Sequence, residues 1–314
     1  MGKSLLGIQL SKALNGEIIN ADSRQVYKGL DIGTAKASVR EQDGVRHHLL
    51  SFLTPDEPFN LSLFIKAANT AIEDVRNRGL LPILVGGSGQ YIWGLLEGWQ
   101  VPEIPPNLSI RSDLELQAKR KGPKALHTFL SAVDPLVASS IDPKNERRVI
   151  RALELHFQLK GHKKTIPRRS RTDKVLIVGL TMSRKPLYQK IDTRLDSMMQ
   201  NGFLDEVKGL LDSGYSNTLA SMSGVGYREM AAHIRGEIPL DEAIERTKFR
   251  SHRLVRRQYS WFRHSDPRIE WLTSDGTELR KGLKLVKSFI SSCDRIVGEG
   301  GLGSEIYQNG RRGQ

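Results

Sequence analysis

Short apolar runs alternate with amphipathic helical periods through about the first hundred residues. The segment 4–14 carries its apolar side chains on a helical period and stops at Asn15-Gly16, which is typical of a helix end. Later helical periods cover 60–79 and 88–98, and the apolar runs between the helical segments are EIINAD (17–22) and LLPILVGG (80–87). Helices that alternate with short apolar strands predict an α/β fold built on a parallel sheet.

The Pro-rich segment VPEIPPN (101–107) interrupts this alternation. From there to about residue 170 the chain is helical in pattern and increasingly basic, and a strand pattern returns at KVLIVGLT (174–181). This order predicts a helical insertion, 105–171, in an α/β core made of 1–104 and 172–292. Further predictions are helices over 184–263 and 277–292, a last strand at RIEWL (268–272) and a disordered tail, 293–314.

The 314 residues carry a formal net charge of +13. Such a charge attracts polyanions, so nucleic acid is the first partner to expect, and the alternative is a basic surface that serves only solubility. The one cysteine, Cys293, excludes internal disulfides and a thiolate metal cluster. No apolar stretch has the length of a bilayer span and the amino end lacks a signal-peptide design, so we expect a cytoplasmic protein with no membrane partner.

Two glycine-containing turns indicate a phosphate site. Gly2-Lys3-Ser4, directly before a helix, matches the end of the pattern G-x-x-x-x-G-K-[ST], in which the Lys neutralises phosphate and the hydroxyl binds Mg²⁺. The tripeptide alone is a weak signal. VGGSGQY (85–91) is a second strand-to-helix turn, where glycine either admits a ligand close to the backbone or provides a positive φ. Ligands of open α/β sheets bind at the carboxyl ends of strands, which favours function for both turns.

Asp22 ends the apolar run EIINAD and is predicted to lie at the same edge of the sheet. Its carboxylate is either a general base or a ligand to water on Mg²⁺, and the alternative is a turn cap. His47 and His48 invite a metal interpretation, but no carboxylate or cysteine stands at ligand spacing in the sequence, so we interpret them as structural.

Five segments together resemble the tRNA dimethylallyltransferase family. They are NADSRQVYKGLDIGTAK, HHLLSFLTPDEPFNLSLF, PILVGGSGQYIWGLLEG, ERRVIRALEL and SGVGYREM, and the resemblance covers about residues 2–290. It implies a P-loop NTPase-like core of the nucleotide-binding (ATP-binding) type, with a helical insertion and a C-terminal helical region. It further implies transfer of a dimethylallyl group from dimethylallyl diphosphate to N6 of adenosine 37 in the tRNA anticodon loop, by a monomeric enzyme that uses Mg²⁺.

The resemblance also implies roles for individual residues. Asp22 matches the general base, Ser88 a hydroxyl near the diphosphate that is Thr in most members, and Arg111 and Arg194 two basic residues of the reaction centre. Gly2, Lys3 and Ser4 match the diphosphate loop, with Ser4 as the metal ligand. The implied tRNA contacts are Asp22, Ser23, Arg24, Gln25, Arg147, Arg148, Val149, Ile150, Arg151, Ser223, Gly224, Val225, Gly226, Tyr227 and Arg228.

The chain departs from the family pattern before Gly2. That pattern places a strand and roughly G-P-T-A-S there, so we expect the first strand and about four or five cradle residues to be absent from this chain. The expected consequence is impaired activity, with the full activity in a longer form. Two alternatives stay open from the residues alone: a small-molecule kinase of the P-loop class, and a degenerate, non-catalytic RNA-binding relative.

The predicted helix 241–263 carries seven basic side chains with few acidic partners. Phosphate contact by these side chains is our interpretation, and a solvated helix face is the alternative. The nearby Trp261 and Phe262 are predicted to pack in the core. The basic residues are Arg246, Lys248, Arg250, Arg253, Arg256, Arg257 and Arg263.

Overall fold

The computed structural model describes residues 2–99, 101, 102, 104–159 and 174–299, apart from the side chains of Pro123 and 294–299. The chain forms two compact units, of which one is Met1–Trp99 with Arg169–Gln314 and the other is Gln100–Arg168. The predicted boundaries, 1–104 with 172–292 and 105–171, lie within five residues of these along the internal junctions. Each unit has its own elements and core.

The first part of the larger unit alternates helix and strand. Its elements are α1 (Lys3–Leu14), β1 (Gly16–Ala21), α2 (Val39–Gln42), β2 (His47–His48), α3 (Leu61–Asn77), β3 (Leu81–Gly86) and α4 (Gly89–Leu96). Asn60 caps α3 by accepting a hydrogen bond from the backbone N–H of Leu63. The two-residue strand β2 has no alternation long enough to be seen in the sequence, and we did not predict it.

The second part of the larger unit is mostly helical. Its elements are β4 (Ile177–Thr181), α9 (Arg184–Gln200), α10 (Phe203–Asp212), a short 3₁₀ turn (Ser221–Ser223), α11 (Tyr227–Ile234), α12 (Leu240–Trp261), β5 (Ile269–Thr273) and α13 (Glu278–Glu299). The disordered tail predicted from residue 293 is wrong for 293–299, because α13 continues to Glu299. Residues 300–314 lie outside the described part of the chain.

The strands pair in parallel, which confirms the predicted α/β fold, but in the described part of the chain they are divided between two sheets. One sheet has the order β2-β1-β3 and the other pairs β4 with β5. Ile18 of β1 aligns with Ile83 of β3, and Gly179 of β4 aligns with Trp271 of β5. Asp22 directly follows β1, and Gly87 directly follows β3, so both lie at the carboxyl edge of the first sheet.

The main hydrophobic cluster of this unit lies between the loop after β1 and helices α9 to α12. Tyr27 and Leu30 come from that loop, and Phe203 and Tyr227 come from α10 and α11, with their rings packed edge to face. Burying aromatic rings removes much apolar surface from water, which stabilises this contact. The loop Val26–Lys36 is thereby fixed to the helices.

The described residues of the smaller unit form four helices, α5 (Leu108–Lys121), α6 (Pro123–Val133), α7 (Pro135–Ser139) and α8 (Glu146–Gln158). Asparagines cap two of them, since Asn107 accepts from the N–H of Ile110 and Asn145 from the N–H of Arg148. Apolar side chains from α5, α6 and α8 form its core around Leu130, Val149 and Leu153. In the described part of the chain, no helix has both the length and the apolar surface that a bilayer span requires.

Candidate functional site

The amino end of α1 presents a cation at a helix terminus. Gly2 precedes the helix with φ 91°, a left-handed conformation that glycine adopts without strain. Lys3 is half-buried, and Ser4 is exposed. Burial lowers the pKa of the Lys3 ammonium, the Asp22 carboxylate opposes that shift, and the Arg194 guanidinium adds to it. The helix N-terminus and Lys3 together favour an anion at this point.

Asp22 lies at the carboxyl end of β1, as the sequence indicated. Its Oδ1 accepts hydrogen bonds from the backbone N–H groups of Arg24 at 2.8 Å and Gln25 at 3.4 Å. The cap interpretation is therefore correct for one oxygen. The structure records no hydrogen bond to Oδ2 from the described residues. A carboxylate fixed through Oδ1 keeps Oδ2 for a proton or a ligand.

Arg194 lies on α9, and its pKa responds to the same carboxylate. Loss of hydration lowers the pKa of Arg194, and Asp22 opposes the shift. By surface area, however, the side chain of Arg194 is exposed. Among the described residues, neither Arg194 nor Lys3 has an ion pair. Two cations that respond to one carboxylate, with no salt bridge from a described residue to neutralise either of them, favour the binding of an anion with several negative charges.

Ser88 joins the second glycine turn to the Asp22 segment. Its hydroxyl accepts a hydrogen bond from the backbone N–H of Ser23 at 3.2 Å, and its own N–H donates to the carbonyl of Ala21. The predicted catalytic residues Asp22 and Ser88 therefore stand on adjacent strand ends, with Ser23 between them. Ser88 also precedes α4.

The glycines of VGGSGQY are needed for close packing. None of Gly86, Gly87 and Gly89 has a positive φ. The explanation that glycine provides a positive φ in this turn is therefore wrong. A side chain at Gly86 would overlap the backbone of Ala21, one at Gly87 would overlap Gln258, and one at Gly89 would overlap Trp261. The last turn of α12 therefore packs directly on this turn. Trp261 itself is exposed at about one third of its surface, so its predicted core position is only partly correct.

Two predicted tRNA-contacting segments meet at Arg24. The Arg24 guanidinium donates hydrogen bonds to the hydroxyl of Ser223 at 3.0 Å and to the carbonyl of Ala220. Val225 is half-buried and Arg228 is exposed, so both offer surface to a partner. Gly224 and Gly226 are buried. The Gln25 amide donates to the carbonyls of Thr34 and Ala35, which gives it a structural role in this state.

Three of the predicted tRNA contacts have side chains in the core, so contact by these residues stays a prediction without exposed side chains to support it. Tyr227 is 1% exposed, and its hydroxyl donates to Glu206 at 2.6 Å. Val149 and Ile150 lie in the core of the smaller unit at 0% and 5% exposed. The resemblance assigned whole sequence segments as tRNA contacts, without distinguishing the residues within each segment. Part of each segment is helical, and an amphipathic helix buries the residues on one of its faces.

Glu206 is a positioning residue that sequence reasoning missed. Its carboxylate accepts from the backbone N–H groups of Asp31, Ile32 and Gly33 and from the hydroxyl of Tyr227. It thereby ties the loop GLDIGTAK to α10 and α11. The sequence shows only a glutamate in the first turn of an amphipathic helix, which is common on solvated faces, so nothing there indicated this role.

Arg111 and Arg151 belong to the smaller unit, where both bind Glu154. The Glu154 carboxylate, 0% exposed, accepts from Arg111 at 3.0 Å and Arg151 at 2.7 Å. Burial alone would raise the pKa of Glu154, but hydrogen bonds from Arg151, Asn107 and Arg111 hold it below its usual value. Arg147 and Arg148 on the same helix are exposed and form no ion pair within the described ranges. The reaction-centre role implied for Arg111 stays a prediction.

The basic side chains of α12 divide into two groups. Arg246 pairs with Glu242, Lys248 with Asp196 and Glu245, and Arg250 with Glu229 at 2.6 Å. The expectation of few acidic partners is wrong for this half of the helix. Toward the carboxyl end of α12 and just after it, four exposed side chains have no carboxylate partner in the described part of the chain: Arg253, Arg256, Arg257 and, after the helix, Arg263. Arg256 donates to the hydroxyl of Tyr188 at 3.2 Å.

One cluster of possible metal ligands occurs among the described residues, and it consists of Glu17, His48 and Asp74. His48 lies 2.6 Å from Glu17, and Arg78 donates to Glu17 at 2.6 Å and to Asp74 at 2.7 Å. The guanidinium satisfies both carboxylates, so the geometry is that of an ion-pair network. The structural interpretation of His48 fits this arrangement. The carboxylate next to His48 belongs to Glu17, 31 residues away in the sequence, so ligand spacing along the chain could not indicate it.

Comparison with known proteins gives one consistent family. The profile described as IPP transferase matches residues 25–265. The tRNA dimethylallyltransferase of Thermomicrobium roseum is 44% identical over 273 residues, which are 86% of this chain and 82% of that protein. The full-length tRNA isopentenylpyrophosphate transferase of Bacillus halodurans superposes with a TM-score of 0.70 at 36% identity and covers 94% of this chain and 95% of its own.

A eukaryotic dimethylallyltransferase acting on tRNA superposes with a TM-score of 0.75 at 28% identity, over 93% of this chain and 77% of its own length. These proteins share a P-loop NTPase-like α/β fold with the present structure. The family profile covers far more than half of the chain, and the identities extend over most of it. The chain therefore belongs to the IPP transferase family, the family of the tRNA dimethylallyltransferases.

Proposed function

We propose that this protein transfers a dimethylallyl group from dimethylallyl diphosphate to N6 of adenosine 37 in tRNA, releasing diphosphate. The observation that carries the proposal is the electrostatic coupling of Lys3 and Arg194 to Asp22, together with the lack of a salt bridge from either cation to any described residue. The diphosphate supplies the anion for Lys3 and Arg194. The family to which the chain belongs supports the substrate pair.

The chemistry needs help at both partners. The N6 lone pair is delocalised into the adenine ring, so the amine is a weak nucleophile. N6 attacks the allylic carbon, the bond from that carbon to the diphosphate oxygen breaks, and the diphosphate leaves with the electron pair. Oδ2 of Asp22 accepts the proton from N6, which contributes typically ~10²–10⁴-fold in rate. Lys3 and Arg194 stabilise the charge that develops on the leaving group.

Mg²⁺ fits this end of the site by its donor set. The hydroxyl of Ser4 is exposed at the start of α1 and has no hydrogen-bond partner among the described residues, and Mg²⁺ prefers oxygen ligands of this kind. We propose Ser4 as the protein ligand. Bound there, the ion would neutralise the diphosphate further.

tRNA recognition is proposed at the exposed basic side chains. On the larger unit these are Arg228 and the group Arg253, Arg256, Arg257 and Arg263, and on the smaller unit Arg147 and Arg148. Arginine and lysine side chains neutralise backbone phosphates and position the nucleic acid. A target base has to leave its stack to reach a reaction site, and the anticodon loop, being single-stranded, permits this. We further propose a monomeric enzyme of the cytoplasm.

The test incubates the protein with unmodified tRNA and dimethylallyl diphosphate labelled in the allyl group, followed by nucleoside analysis. The expected product is N6-dimethylallyladenosine. A parallel reaction with γ-labelled ATP and tRNA controls for phosphoryl transfer. Label transfer from ATP without prenylation would support a kinase, and tRNA binding without either product would support a non-catalytic RNA-binding protein. Either result would contradict the proposed function.

A further inference from the structure

Helices α9 and α12 face each other through a row of polar side-chain pairs, which we call the α9–α12 ladder. Each pair joins a basic side chain of α12 to an oxygen of α9, and successive pairs lie four residues, about one helical turn, apart on both helices. The pairs are Lys248 with Asp196 at 3.6 Å, His252 with Asp192 at 2.8 Å and Arg256 with Tyr188 at 3.2 Å. Because the residue numbers rise along α12 and fall along α9, the two helices run antiparallel here.

The last pair of the α9–α12 ladder differs from the other two in charge. Aspartates of α9 present carboxylates to the first two basic side chains, whereas Arg256 meets the neutral hydroxyl of Tyr188. A phenol oxygen accepts a hydrogen bond from a guanidinium but brings no negative charge to it. Within the described residues, the positive charge of Arg256 is therefore restrained but not neutralised.

The Tyr188 hydroxyl is held in place through its own ring. That ring stacks on the imidazole of His252, with 4.0 Å between the ring centroids and 5° between the ring planes. The imidazole is in turn fixed by the Asp192 carboxylate. Tyr188 and His252 are half-buried, while Arg256 is exposed. A flexible surface arginine loses conformational freedom when it binds a ligand, so a partner that restrains it beforehand favours binding.

The cations beside Arg256 on α12 are not neutralised either. Arg253 and Arg257 are exposed, and neither has a carboxylate partner among the described residues. Like charges three or four residues apart on a helix repel each other, so this end of α12 favours an anion that approaches from solvent. The phosphates of a nucleic-acid backbone are regularly spaced anions that arginine binds well.

We propose that Tyr188 is a positioning residue for tRNA binding, whose hydroxyl orients the Arg256 guanidinium toward a backbone phosphate without neutralising it. A carboxylate in its place, as in the other two pairs of the α9–α12 ladder, would also hold the arginine, but it would compete with the phosphate for the positive charge. The phenol thus provides the restraint alone. This inference rests on the proposed function, because it takes tRNA as the source of the phosphate.

The first experiment is a double-mutant cycle in the full chain. Tyr188→Phe removes the hydroxyl and keeps the ring that stacks on His252, and Arg256→Ala removes the guanidinium. Filter binding measures tRNA affinity and its salt dependence for the wild type, both single variants and the double variant, and thermal unfolding checks the fold. We expect Tyr188→Phe to weaken tRNA binding about threefold at an unchanged melting temperature. In the Arg256→Ala background, the same substitution should have no further effect.

The second experiment introduces the carboxylate that the third pair lacks. Tyr188→Glu should weaken tRNA binding about tenfold and reduce the slope of log K against log salt by about 0.7–0.9, the contribution of one phosphate contact. Gln189→Glu is the matched control, because it adds the same charge at the neighbouring, exposed position of α9, outside the α9–α12 ladder. Solvent screens that charge, so the control should show less than about half of either effect.

Additive effects of Tyr188→Phe and Arg256→Ala on tRNA affinity would overturn the proposal, and so would equal effects of Tyr188→Glu and Gln189→Glu. A loss of affinity in Tyr188→Phe that accompanies a lower melting temperature would also overturn it, because the hydroxyl would then serve the fold alone. Prenyl transfer to tRNA by the wild type would leave the proposed function intact in all three cases. A wild type that binds no tRNA would overturn both, so the two failures are distinguishable.

Discussion

Two clusters of basic side chains in this protein differ in what neutralises them. In the smaller unit, Arg111 and Arg151 share the carboxylate of Glu154, which is completely buried. In the larger unit, the charge of Asp22 acts on both Lys3 and Arg194, but neither cation forms an ion pair with any described residue. A buried carboxylate with two arginines is satisfied and holds helices together. Two unpaired cations have charge left for a ligand.

The same difference divides α12 along its length. Its amino-terminal half carries Arg246, Lys248 and Arg250 on acidic partners, and the arginines of its carboxyl-terminal half lack them within the described structure. Positive charge alone thus does not identify a binding surface in this chain. We therefore expect tRNA contact at the arginines that have no carboxylate partner among the described residues.

The largest expected effect is at Asp22. Asp22→Asn should slow prenyl transfer by about 10²–10⁴-fold, because the amide accepts no proton from N6. Single-turnover transfer with saturating tRNA measures the rate, and filter binding measures tRNA affinity, which should stay unchanged. Asp56→Asn, at an exposed loop position, is the control. A variant that loses tRNA affinity but keeps the rate would show that Asp22 is a binding residue.

Glu154→Gln should lower the free energy of unfolding by about 3 kcal/mol. Among the described residues, Glu154 is the carboxylate with which Arg111 and Arg151 both pair, so the substitution leaves both arginines without an anionic partner. Urea denaturation measures the change. Glu115→Gln, on an exposed face of α5, is the matched control and should leave stability within about 0.5 kcal/mol of the wild type. Equal stability of the two variants would contradict a structural role for the Glu154 cluster.

The lowered pKa of Glu17 predicts that the stability of the protein depends on pH in the acidic range. Hydrogen bonds from Arg78 lower its pKa to about 2, burial opposes this, and His48 adds to the lowering. Because the folded pKa lies below the unfolded value of 4.5, the contribution is complete above about pH 4.5 and is lost as the pH falls toward 2. The contribution of Glu17 to the free energy of unfolding at neutral pH is up to about 3 kcal/mol.

Urea denaturation between pH 5 and pH 2 measures this contribution. Glu17→Gln should flatten the pH dependence in that range, and Glu73→Gln, at an exposed position on α3, should not. An unchanged pH profile in Glu17→Gln would mean that the Arg78 network does not act on Glu17 in the folded protein.

The smallest expected effect concerns the two halves of α12. Replacing Arg256 and Arg257 by Ala should reduce the slope of log K against log salt for tRNA binding by about 1–2 units. Replacing Arg246 and Lys248, which have carboxylate partners, should reduce it less. Salt titrations of tRNA binding by the two double variants measure these slopes. Identical slopes would contradict the expectation that only the carboxyl-terminal half of α12 contacts phosphate.

The hydrophobic pattern was sufficient for most elements of the fold. Strands β1, β3, β4 and β5 and the long helices follow from apolar periodicity, and the insertion follows from the proline-rich break. The pattern could not show that the sheet is divided, because β3 and β4 have the composition of central strands. Which strands pair depends on which strands are neighbours in the folded protein, and hydrophobic periodicity along the sequence does not contain that information.

The sequence correctly predicted that Asp22 and Ser88 lie at the same edge of the sheet, because each directly follows a recognisable strand. Asp22 and Ser88 follow adjacent strands, and their segments meet through Ser23. What the sequence did not show are partnerships across long separations. Glu154 lies 43 residues from Arg111, and Glu206 lies 173 residues or more from the loop backbone it binds. Whether an arginine is paired is a property of the tertiary structure.

The most direct test of the comparison measures two properties in two variants. Calorimetry gives the affinity for inorganic diphosphate, and thermal unfolding gives the stability, for Arg194→Ala and Arg151→Ala. We expect Arg194→Ala to bind diphosphate at least about tenfold more weakly with an unchanged melting temperature. Arg151→Ala should lose about 1–2 kcal/mol of stability and keep its diphosphate affinity. The reverse pattern, or equal losses in both variants, would contradict the claim that unpaired cations mark the site and paired ones hold the fold.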